Sequence, residues 1–272
     1  MAANNRTVLI TGSTDGVGRR VAERMAATGT TVLIHGRDQA RAERLLAEIR
    51  EAGGAGTFHL ADFSSLAAVR AMAEAVRRQN DRIDILINNA GIGVGQPGSE
   101  RQISHDGHEL RFAVNYLSGF LLTHLLLPLL KASSHARIVN VASVGQRPLN
   151  FADVMLAHEY SGARAYGQSK LAQIMFTFDL AQELQGSSVT ANCLHPATYM
   201  DTTMVRADGI SPVSSVAAGA DAILHLASSV EMEGRTGLYF DGLHPSRANA
   251  QAYEITARER LRALSLELTG LP

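Results

Sequence analysis

Short apolar runs alternate along the chain with longer segments in which apolar residues recur at helical spacing. The periodic segments predict helices near 17–28, 38–52, 65–80, 107–131, 163–185, 214–228 and 249–268. The short runs predict seven strands, namely Thr7–Ile10, Thr31–His35, Gly56–Leu60, Ile83–Ile87, Ala136–Val141, Ser188–Leu194 and Thr236–Tyr239. Strands that alternate with helices pair in parallel through right-handed crossovers. The pattern therefore predicts an α/β fold, a doubly wound, parallel seven-stranded sheet with helices on both faces.

Such a sheet binds ligands in a crevice at the carboxyl ends of its strands. The chain has no Pro/Ser/Gly-rich linker and no internal repeat, so residues 1–272 are expected to form a single domain. The irregular, apolar stretch near 197–215 follows the sixth strand. We expect it to cover the crevice as a substrate lid.

Composition narrows the class of protein. Apolar residues make up 46% of the chain and the formal net charge is −1, which argues against disorder and against a nucleic-acid partner. The single cysteine excludes an intrachain disulfide, and the first residues contain no apolar signal segment, so we expect a cytoplasmic protein. Phe112–Leu130 carries no charge and approaches the length of a membrane span, but it contains Asn115, His124 and Pro128. We expect a buried helix there, with no membrane span.

A glycine-rich turn joins the first strand to the first helix. Glycines at this place allow a tight turn and a close approach to a pyrophosphate, whose charge lies against the free N–H groups of the helix. An ordinary strand-to-helix turn is the alternative, but its position in the first βα unit favours a dinucleotide. The predicted binding residues are Gly12, Ser13, Thr14, Asp15, Gly16, Val17 and Gly18.

The end of the second strand predicts which cofactor binds. An acid there would bond the adenosine ribose 2′-hydroxyl and repel a 2′-phosphate, whereas Gly36 occupies that position and Arg37 follows it. A guanidinium suits a phosphate, so we predict NADP(H) in preference to NAD(H). A surface role for Arg37, or Asp38 as a displaced ribose ligand, is the alternative.

Two further segments end at the same edge of the sheet. Asp62 and Phe63 follow the third strand, and Asn89, Ala90 and Gly91 follow the fourth. A carboxylate can accept from the adenine amino group, and a small Ala-Gly step lets the backbone lie along a ribose. Helix capping and turn formation explain these residue types equally well, so their position carries the prediction of cofactor binding.

Tyr166 and Lys170 are four residues apart on a predicted helix and so share one face. A phenol has a reference pKa near 10, and a neighbouring ammonium favours the phenolate, so the pair forms a tunable acid/base. The chain has two lysines, Lys131 and Lys170, against 23 arginines, which makes Lys170 conspicuous. Ser143 ends the fifth strand and could hold a carbonyl oxygen beside the phenol. Tyr160 precedes the helix, and we expect it in a loop near the pocket.

These motifs together resemble the short-chain dehydrogenase/reductase family and its Rossmann fold. The resemblance rests on the glycine loop from Thr11 to Gly18, the segment Asn88–Gly91, and the tetrad Asn115, Ser143, Tyr166 and Lys170. Tyr160-Ser161-Gly162 and the tail of the chain from Gly237 to Leu268 are similar to the retinol-dehydrogenase-like branch.

The family implies hydride transfer between nicotinamide and a carbonyl or alcohol carbon of a small molecule. Tyr166 would donate or accept the proton and Ser143 would bond the substrate oxygen. Lys170 would hold the nicotinamide ribose, and Asn115 would hold a water that relays protons. Asn115 as a polar residue at a helix kink is the alternative. The apolar character of 94–98, 144–152 and 199–212 predicts an apolar substrate.

The chain departs from the family after the sixth strand. His195-Pro196-Ala197 replaces the usual Pro-Gly context, and Asp201 stands where a threonine would meet the nicotinamide amide. We expect Pro196 and Thr202 as nicotinamide neighbours.

Two other functions remain open at this stage. A conjugated C=C reductase would use the same cofactor site, and a non-catalytic NADP-binding regulator could share the fold. A metal site at His105, His108 and Glu109 is the weaker interpretation of that segment, because no third ligand pattern supports it. A helix start with Asp106 near the cap is the preferred one, and no metal is predicted.

The helices near 107–131 and 163–185 are apolar on more than one face. A helix that is apolar all round is buried on both sides. One side would meet the sheet and the other a second subunit, which predicts a homodimer or homotetramer.

Overall fold

The computed structural model describes residues 6–272, and the prediction about the first residues lies outside that range apart from Arg6. Its sheet has the order β3-β2-β1-β4-β5-β6-β7-β8. All neighbouring strands are parallel except β7 and β8, which pair antiparallel. The strands are β1 Thr7–Ile10, β2 Thr31–Gly36, β3 Gly56–Leu60, β4 Ile85–Asn88, β5 Ala136–Val141, β6 Val189–His195, β7 Tyr239–Asp241 and β8 His244–Ser246.

Helices cover both faces of the sheet and divide the apolar core in two. One core packs α3, α4, α5 and α8 against the sheet, and the other packs α1, α2 and α7 against its opposite face. The helices are α1 Gly16–Ala26, α2 Gln39–Glu51, α3 Leu66–Gln79, α4 Ser118–Lys131, α5 Gly162–Glu183, α6 Thr203–Ala207, α7 Val216–Ser228 and α8 Ile255–Thr269. The predicted doubly wound sheet is confirmed, and the order reverses beside β1, which places the crevice between β1 and β4.

The eighth strand was not predicted from the sequence. His244–Ser246 is exposed along its length and contains Pro245, so it shows no apolar pattern. Proline is tolerated there because β8 lies at the edge of the sheet. The strand before it begins at Tyr239 rather than at Thr236, because the Thr236 side chain is already bonded to Ala191 of β6.

The long helix predicted from residue 107 begins with Leu110 and Arg111 and runs through a π-helical segment, Phe112–Leu117, into α4. Glu109 fixes this start because its carboxylate accepts from the Phe112 N–H at 2.7 Å. The π-helix inserts an extra residue into the turn that contains Asn115. Asn115, which was weighed as a polar residue at a helix kink, thus lies within the π-helical turn.

The stretch Phe112–Lys131 is long and apolar enough to cross a membrane by length and composition, and it is the one such helix among residues 6–272. Here 61% of its most apolar window is buried inside the protein. It packs beside α3 and α5, as the sequence predicted for a core helix.

The outer face of α5 is covered by the C-terminal helix of the same chain. Leu261 of α8 is buried in the core that contains α5, and Phe178 lies 5.3 Å from the Tyr253 ring. Arg262 of α8 pairs with Asp179 and with Glu183 of α5. The second apolar side of α5 is thus covered by α8 of the same chain. The apolar pattern of α5 therefore does not support the predicted oligomer.

Candidate active site

The glycine loop packs against the chain that follows β4. Gly12 has φ +64°, and a methyl group on it would lie 2.8 Å from the Ala90 Cα. A methyl group on Gly18 would lie 2.3 Å from the Gly12 carbonyl oxygen. Only glycine fits these two positions, so the main chain itself forms the floor of the crevice at the start of α1. This bare backbone at a helix N-terminus suits a pyrophosphate.

A buried histidine, which sequence reasoning missed, fixes the loop from below. The Gly12 N–H donates to His35 Nδ1 at 3.0 Å, and His35 Nε2 lies 3.1 Å from the Ala61 carbonyl oxygen. The imidazole stacks on Phe63 with ring centroids 4.1 Å apart. Burial lowers the pKa of His35 to about 4. The ring is therefore neutral, with its proton on Nε2, and Phe63 supports the loop through it.

The loop side chains bind the protein itself. Ser13 Oγ accepts from the His35 N–H at 2.9 Å, and Asp15 caps α1 by accepting from the Gly16 N–H at 2.7 Å. The Val17 side chain is buried. Thr14 fills the space beside Gly36, where a methyl group would lie 2.6 Å from Thr14 Oγ1. These contacts leave the main chain of the loop as its cofactor-binding surface.

Residue 36 is the position at which an acid would bind the adenosine ribose of NAD(H). A larger residue than glycine there would collide with Thr14, so the structure has no room for that acid. Arg37 is exposed at the end of β2.

Asp62, which follows β3, lies near the Arg37 charge. Burial raises the pKa of Asp62, but hydrogen bonds from Ser64 and the Arg37 charge outweigh this effect, and the pKa lies below its usual value. Sequence reasoning missed Arg41, which pairs with Asp15 at 3.1 Å beside the loop. Two guanidinium groups therefore stand at the adenosine end.

The segment after β4 ties this end to the chemical one. The Asn89 side chain donates to the Thr11 and Gly12 carbonyl oxygens at 2.9 and 3.1 Å. A methyl group on Gly91 would lie 3.2 Å from Asn115 Oδ1 and 3.7 Å from Lys170 Nζ. Gly91 thus lies beside two of the predicted catalytic residues.

The predicted acid/base pair lies at the carboxyl edge of β5. Tyr166 is partly exposed to the crevice, and Lys170 Nζ lies 5.7 Å from the centre of its ring. Burial raises the pKa of the Tyr166 phenol, and a hydrogen bond from Ser143 lowers it, with a net increase. Ser143 Oγ itself accepts from the Gly145 N–H at 3.0 Å. The phenol is therefore protonated at neutral pH.

The ammonium group of Lys170 is buried. It donates to the Val141 carbonyl oxygen at 2.9 Å and to Gln173 Oε1 at 2.8 Å. Burial lowers the pKa of Lys170 to about 7. An arginine in its place would stay charged at every pH that the protein meets. The buried lysine can therefore gain or lose a proton near neutral pH.

Asn115 is held by contacts on both sides. Its Oδ1 accepts from the Ile92 N–H at 2.8 Å, and its Nδ2 donates to Ser169 Oγ at 3.0 Å. The side chain is thus fully used in joining the π-helical segment to the β4 loop and to α5. A relay role for Asn115 would fall to its main chain, because the π-helix disturbs the regular hydrogen bonds there.

The stretch near 197–215, predicted as a lid, contacts the glycine loop and the loop after β4. Its two ends meet where the Val213 N–H donates to the Tyr199 carbonyl oxygen at 2.9 Å. Pro196 is buried at its start, and Thr202 caps α6 and touches the glycine loop, 3.2 Å from the place of a methyl group on Gly16. Asp208 accepts from the N–H groups of residues 94 and 95 at 2.9 and 2.8 Å. The Asp208 contact was not predicted.

The segment weighed as a metal site has a structural role instead. Arg111 Nη1 lies 3.6 Å from Glu109 Oε1 and donates to the Tyr160 phenol at 2.6 Å. Asp106 accepts from the Leu66 N–H at 2.8 Å, so it serves the start of α3 rather than its own helix. Residues 6–272 hold no group of three side chains suited to a metal ion. Tyr160 lies in the loop before α5 and contacts Arg111, which in turn donates to the carbonyl oxygens of residues 93 and 94 in the loop after β4.

Comparison with known proteins agrees with this geometry. A family model described as short chain dehydrogenase matches residues 6–210. Human retinol dehydrogenase 14 is 35% identical over 98% of this chain and 87% of its own length. The Pseudomonas aeruginosa RhlG/NADP active-site complex has a TM-score of 0.73 at 27% identity, over 89% of this chain and 97% of the other. A 3-ketoacyl-(acyl-carrier-protein) reductase from Brucella melitensis, complexed with NADH, has a TM-score of 0.71 at 27% identity, over 88% and 97%.

The fold and the site define an oxidoreductase that acts on alcohol or carbonyl groups with a nicotinamide cofactor. The chain belongs to the short-chain dehydrogenase family, in its retinol-dehydrogenase-like branch. The resemblance inferred from the motifs is confirmed.

Proposed function

We propose that the protein transfers a hydride between NADP(H) and the carbonyl or alcohol carbon of a largely apolar substrate. The observation that carries this proposal is the convergence of Tyr166, Ser143 and Lys170 on one edge of the crevice, beside the backbone of the glycine loop. Bound nicotinamide supplies or accepts the hydride.

The side chains of the site supply the proton and bind the substrate oxygen and the cofactor. Tyr166, whose raised pKa keeps the phenol protonated at neutral pH, donates its phenolic proton to the substrate oxygen in the direction of reduction. Ser143 donates its single hydroxyl proton to the same substrate oxygen, in place of the phenol oxygen that it faces in the free protein. Lys170 would hold the nicotinamide ribose, and its pKa of about 7 lets it pass a proton toward the phenol at neutral pH.

The residues around the mouth of the crevice favour an apolar substrate. Val144, Tyr199, Met204 and Val213 are all substantially exposed although their side chains are large and apolar. They lie after β5 and on the lid, which are the two segments that flank Tyr166. An apolar molecule that entered between them would cover these side chains from water, which stabilises the complex.

The test is oxidation of NADPH and NADH in the presence of a panel of apolar aldehydes and ketones. We expect turnover of simple carbonyl compounds, whereas a conjugated C=C reductase would leave them unchanged. Tyr166→Phe should lower turnover by about 10²–10⁴-fold, because it removes the acid. Tyr160→Phe is the matched control, since its phenol binds Arg111 outside the proton path. Full activity in Tyr166→Phe would overturn the mechanism.

The NADP(H) preference is proposed from Arg37 and from the crowded Gly36. The KM ratio of NADH to NADPH should fall about tenfold in Arg37→Ala, since one exposed charge-assisted hydrogen bond to the 2′-phosphate is lost. Arg50→Ala is the control because it removes an equally exposed guanidinium from the far end of α2. A wild-type protein that prefers NADH would contradict the assignment.

We also propose a cytoplasmic location, supported by a single, fully buried thiol. Burial raises the pKa of Cys193 to about 12, so the thiol is unreactive. A homodimer or homotetramer remains a proposal. It is checked by light scattering at micromolar concentration, where a monomer would contradict it.

A further inference from the structure

A buried glutamine one turn beyond the catalytic lysine has no place in the mechanism described so far. Gln173 lies on α5 among the fully buried side chains Ala172, Ile174 and Met175, and it is itself 4% exposed. A buried amide requires a hydrogen-bond partner. The partner of its Oε1 atom is Lys170 Nζ, at 2.8 Å.

The position of Gln173 is fixed by neighbouring contacts. The main-chain carbonyl oxygen of Gln173 accepts from Thr177 Oγ1 at 2.7 Å, and the Thr177 hydroxyl accepts from Asn140 Nδ2 at 2.8 Å. These contacts tie this turn of α5 to β5, the strand that supplies the Val141 carbonyl oxygen to the same ammonium. The two acceptors therefore belong to one rigid unit.

We propose that Gln173 is a positioning residue for Lys170: its amide oxygen and the Val141 carbonyl oxygen hold two N–H bonds of the ammonium and leave the third for the crevice. This inference rests on the function proposed above. A hydrogen bond to the charged form favours that form, so Gln173 also opposes the effect of burial on the lysine. Residue 173 thereby determines how much of Lys170 is protonated near neutral pH.

Two titratable groups face Lys170. Tyr166 lies on the same helix, and His195 comes from the end of β6, where the Lys170 charge contributes to lowering the pKa of the imidazole. The loop after β4 and the π-helical segment present Gly91 and Asn115, which do not titrate. A change at residue 173 leaves all of these groups in place.

The composition of the chain makes a direct test possible. With lysine labelled by ¹³C at Cε, the protein gives two such NMR signals, from Lys131 and Lys170. The signal that remains in Lys131→Arg belongs to Lys170. The signal of the exposed Lys131 is an internal reference in the other variants. The pKa of Lys170 is then read by titration of the cofactor-free protein, without any turnover.

In Gln173→Leu we expect the pKa of Lys170 to fall by about one unit, because a hydrogen bond to the ammonium is lost. Gln173→Glu should raise it above the wild-type value, since a carboxylate faces the ammonium. Gln182→Leu makes the same change at an exposed position near the end of α5 and should leave the titration unchanged. A titration in Gln173→Leu that overlays the wild type would overturn the proposal. If Gln173→Leu does not fold, as judged by circular dichroism, the direction of the shift in Gln173→Glu decides.

Activity gives the second measurement. The pH profile of kcat/KM should move in the same direction as the lysine titration in each variant. A shifted titration in a protein that reduces no carbonyl compound would refute the proposed function and leave the contact between the two side chains standing. Turnover with an unshifted titration would refute the role of Gln173 alone.

Discussion

The two ends of the crevice are built in different ways. At the phosphate end, main chain packs on main chain around Gly12 and Gly18, and the buried His35 fixes the turn. At the lid end, Asp208 reaches across the crevice to two N–H groups, and neighbouring side chains such as Tyr199 and Met204 are exposed. The first arrangement admits no displacement without collision. The second is held by a few hydrogen bonds, which suits the substrate lid predicted from the sequence.

The largest expected effect is at the phosphate end. Gly18→Ala places a methyl group 2.3 Å from the Gly12 carbonyl oxygen, and the rigid turn must shift. We expect the Kd for NADPH, measured by fluorescence titration, to rise about 10²-fold, which corresponds to roughly 3 kcal/mol of strain.

The matched control is Gly145→Ala, whose methyl group would lie 3.4 Å from Ser143 Oγ in ordinary contact. Its NADPH affinity should equal that of the wild type. If Gly18→Ala bound NADPH as tightly as the wild type does, the glycine loop would be as adaptable as the lid.

The second prediction concerns the buried imidazole of the phosphate end. The folded-state pKa of His35, about 4, lies below its unfolded value near 6.5, so the unfolded chain binds more protons between these values. The contribution of His35 to stability is present above pH 6.5 and is lost as the pH falls toward 4. His35→Gln keeps an acceptor for the Gly12 N–H but does not titrate.

The measurement is urea unfolding of both proteins at pH 6.5 and 4.5. The difference in unfolding free energy, wild type minus variant, should fall by about 2 kcal/mol over this interval. The buried His59 and His195 occur in both proteins, so their contributions cancel. A difference independent of pH would mean that His35 titrates normally and does not fix the loop as a neutral ring.

The smallest effect is expected at the lid. Asp208→Ala removes two hydrogen bonds to the main chain, and we expect the KM for the carbonyl substrate to rise about fivefold with kcat little changed. Limited proteolysis should cleave within 199–212 faster than in the wild type.

Arg206→Ala, two residues before Asp208, is the control because it breaks the exposed pair between Arg206 and Asp201 without touching the loop after β4. If Asp208→Ala cost as much as Gly18→Ala, the distinction between a rigid end and a movable end would be lost.

The phosphate end and the lid end also differ in how much of each could be predicted from the sequence. The strands and helices around the phosphate end were found from apolar periodicity, and their glycine turn from its spacing. Asp208 was missed because its partners are main-chain N–H groups more than 100 residues away, which carry no side-chain signature. His35 was missed because it sits inside a strand, where a polar residue gives no sign of the turn that it supports.

Some interpretations changed once the helices were packed. The apolar outer face of α5 predicted a partner subunit, but α8 covers that face. The apolar pattern of a helix shows that a face is buried, but it does not show which element or subunit covers that face. The carboxylate of Glu109, weighed as a metal ligand, instead lies against Arg111 and the start of the π-helical segment.

The sequence by itself determined the fold class, the glycine loop and the Tyr166–Lys170 pair, because these depend on local spacing within single elements. Tertiary structure alone decided the protonation of that pair. Burial lowers the pKa of Lys170 to about 7 and raises that of Tyr166, and burial depends on residues distant in the chain. It also decided that Gln173, three residues from Lys170 and so on the same side of α5, has the ammonium as its partner. The scarcity of lysine singled out one residue, and only packing shows what surrounds it.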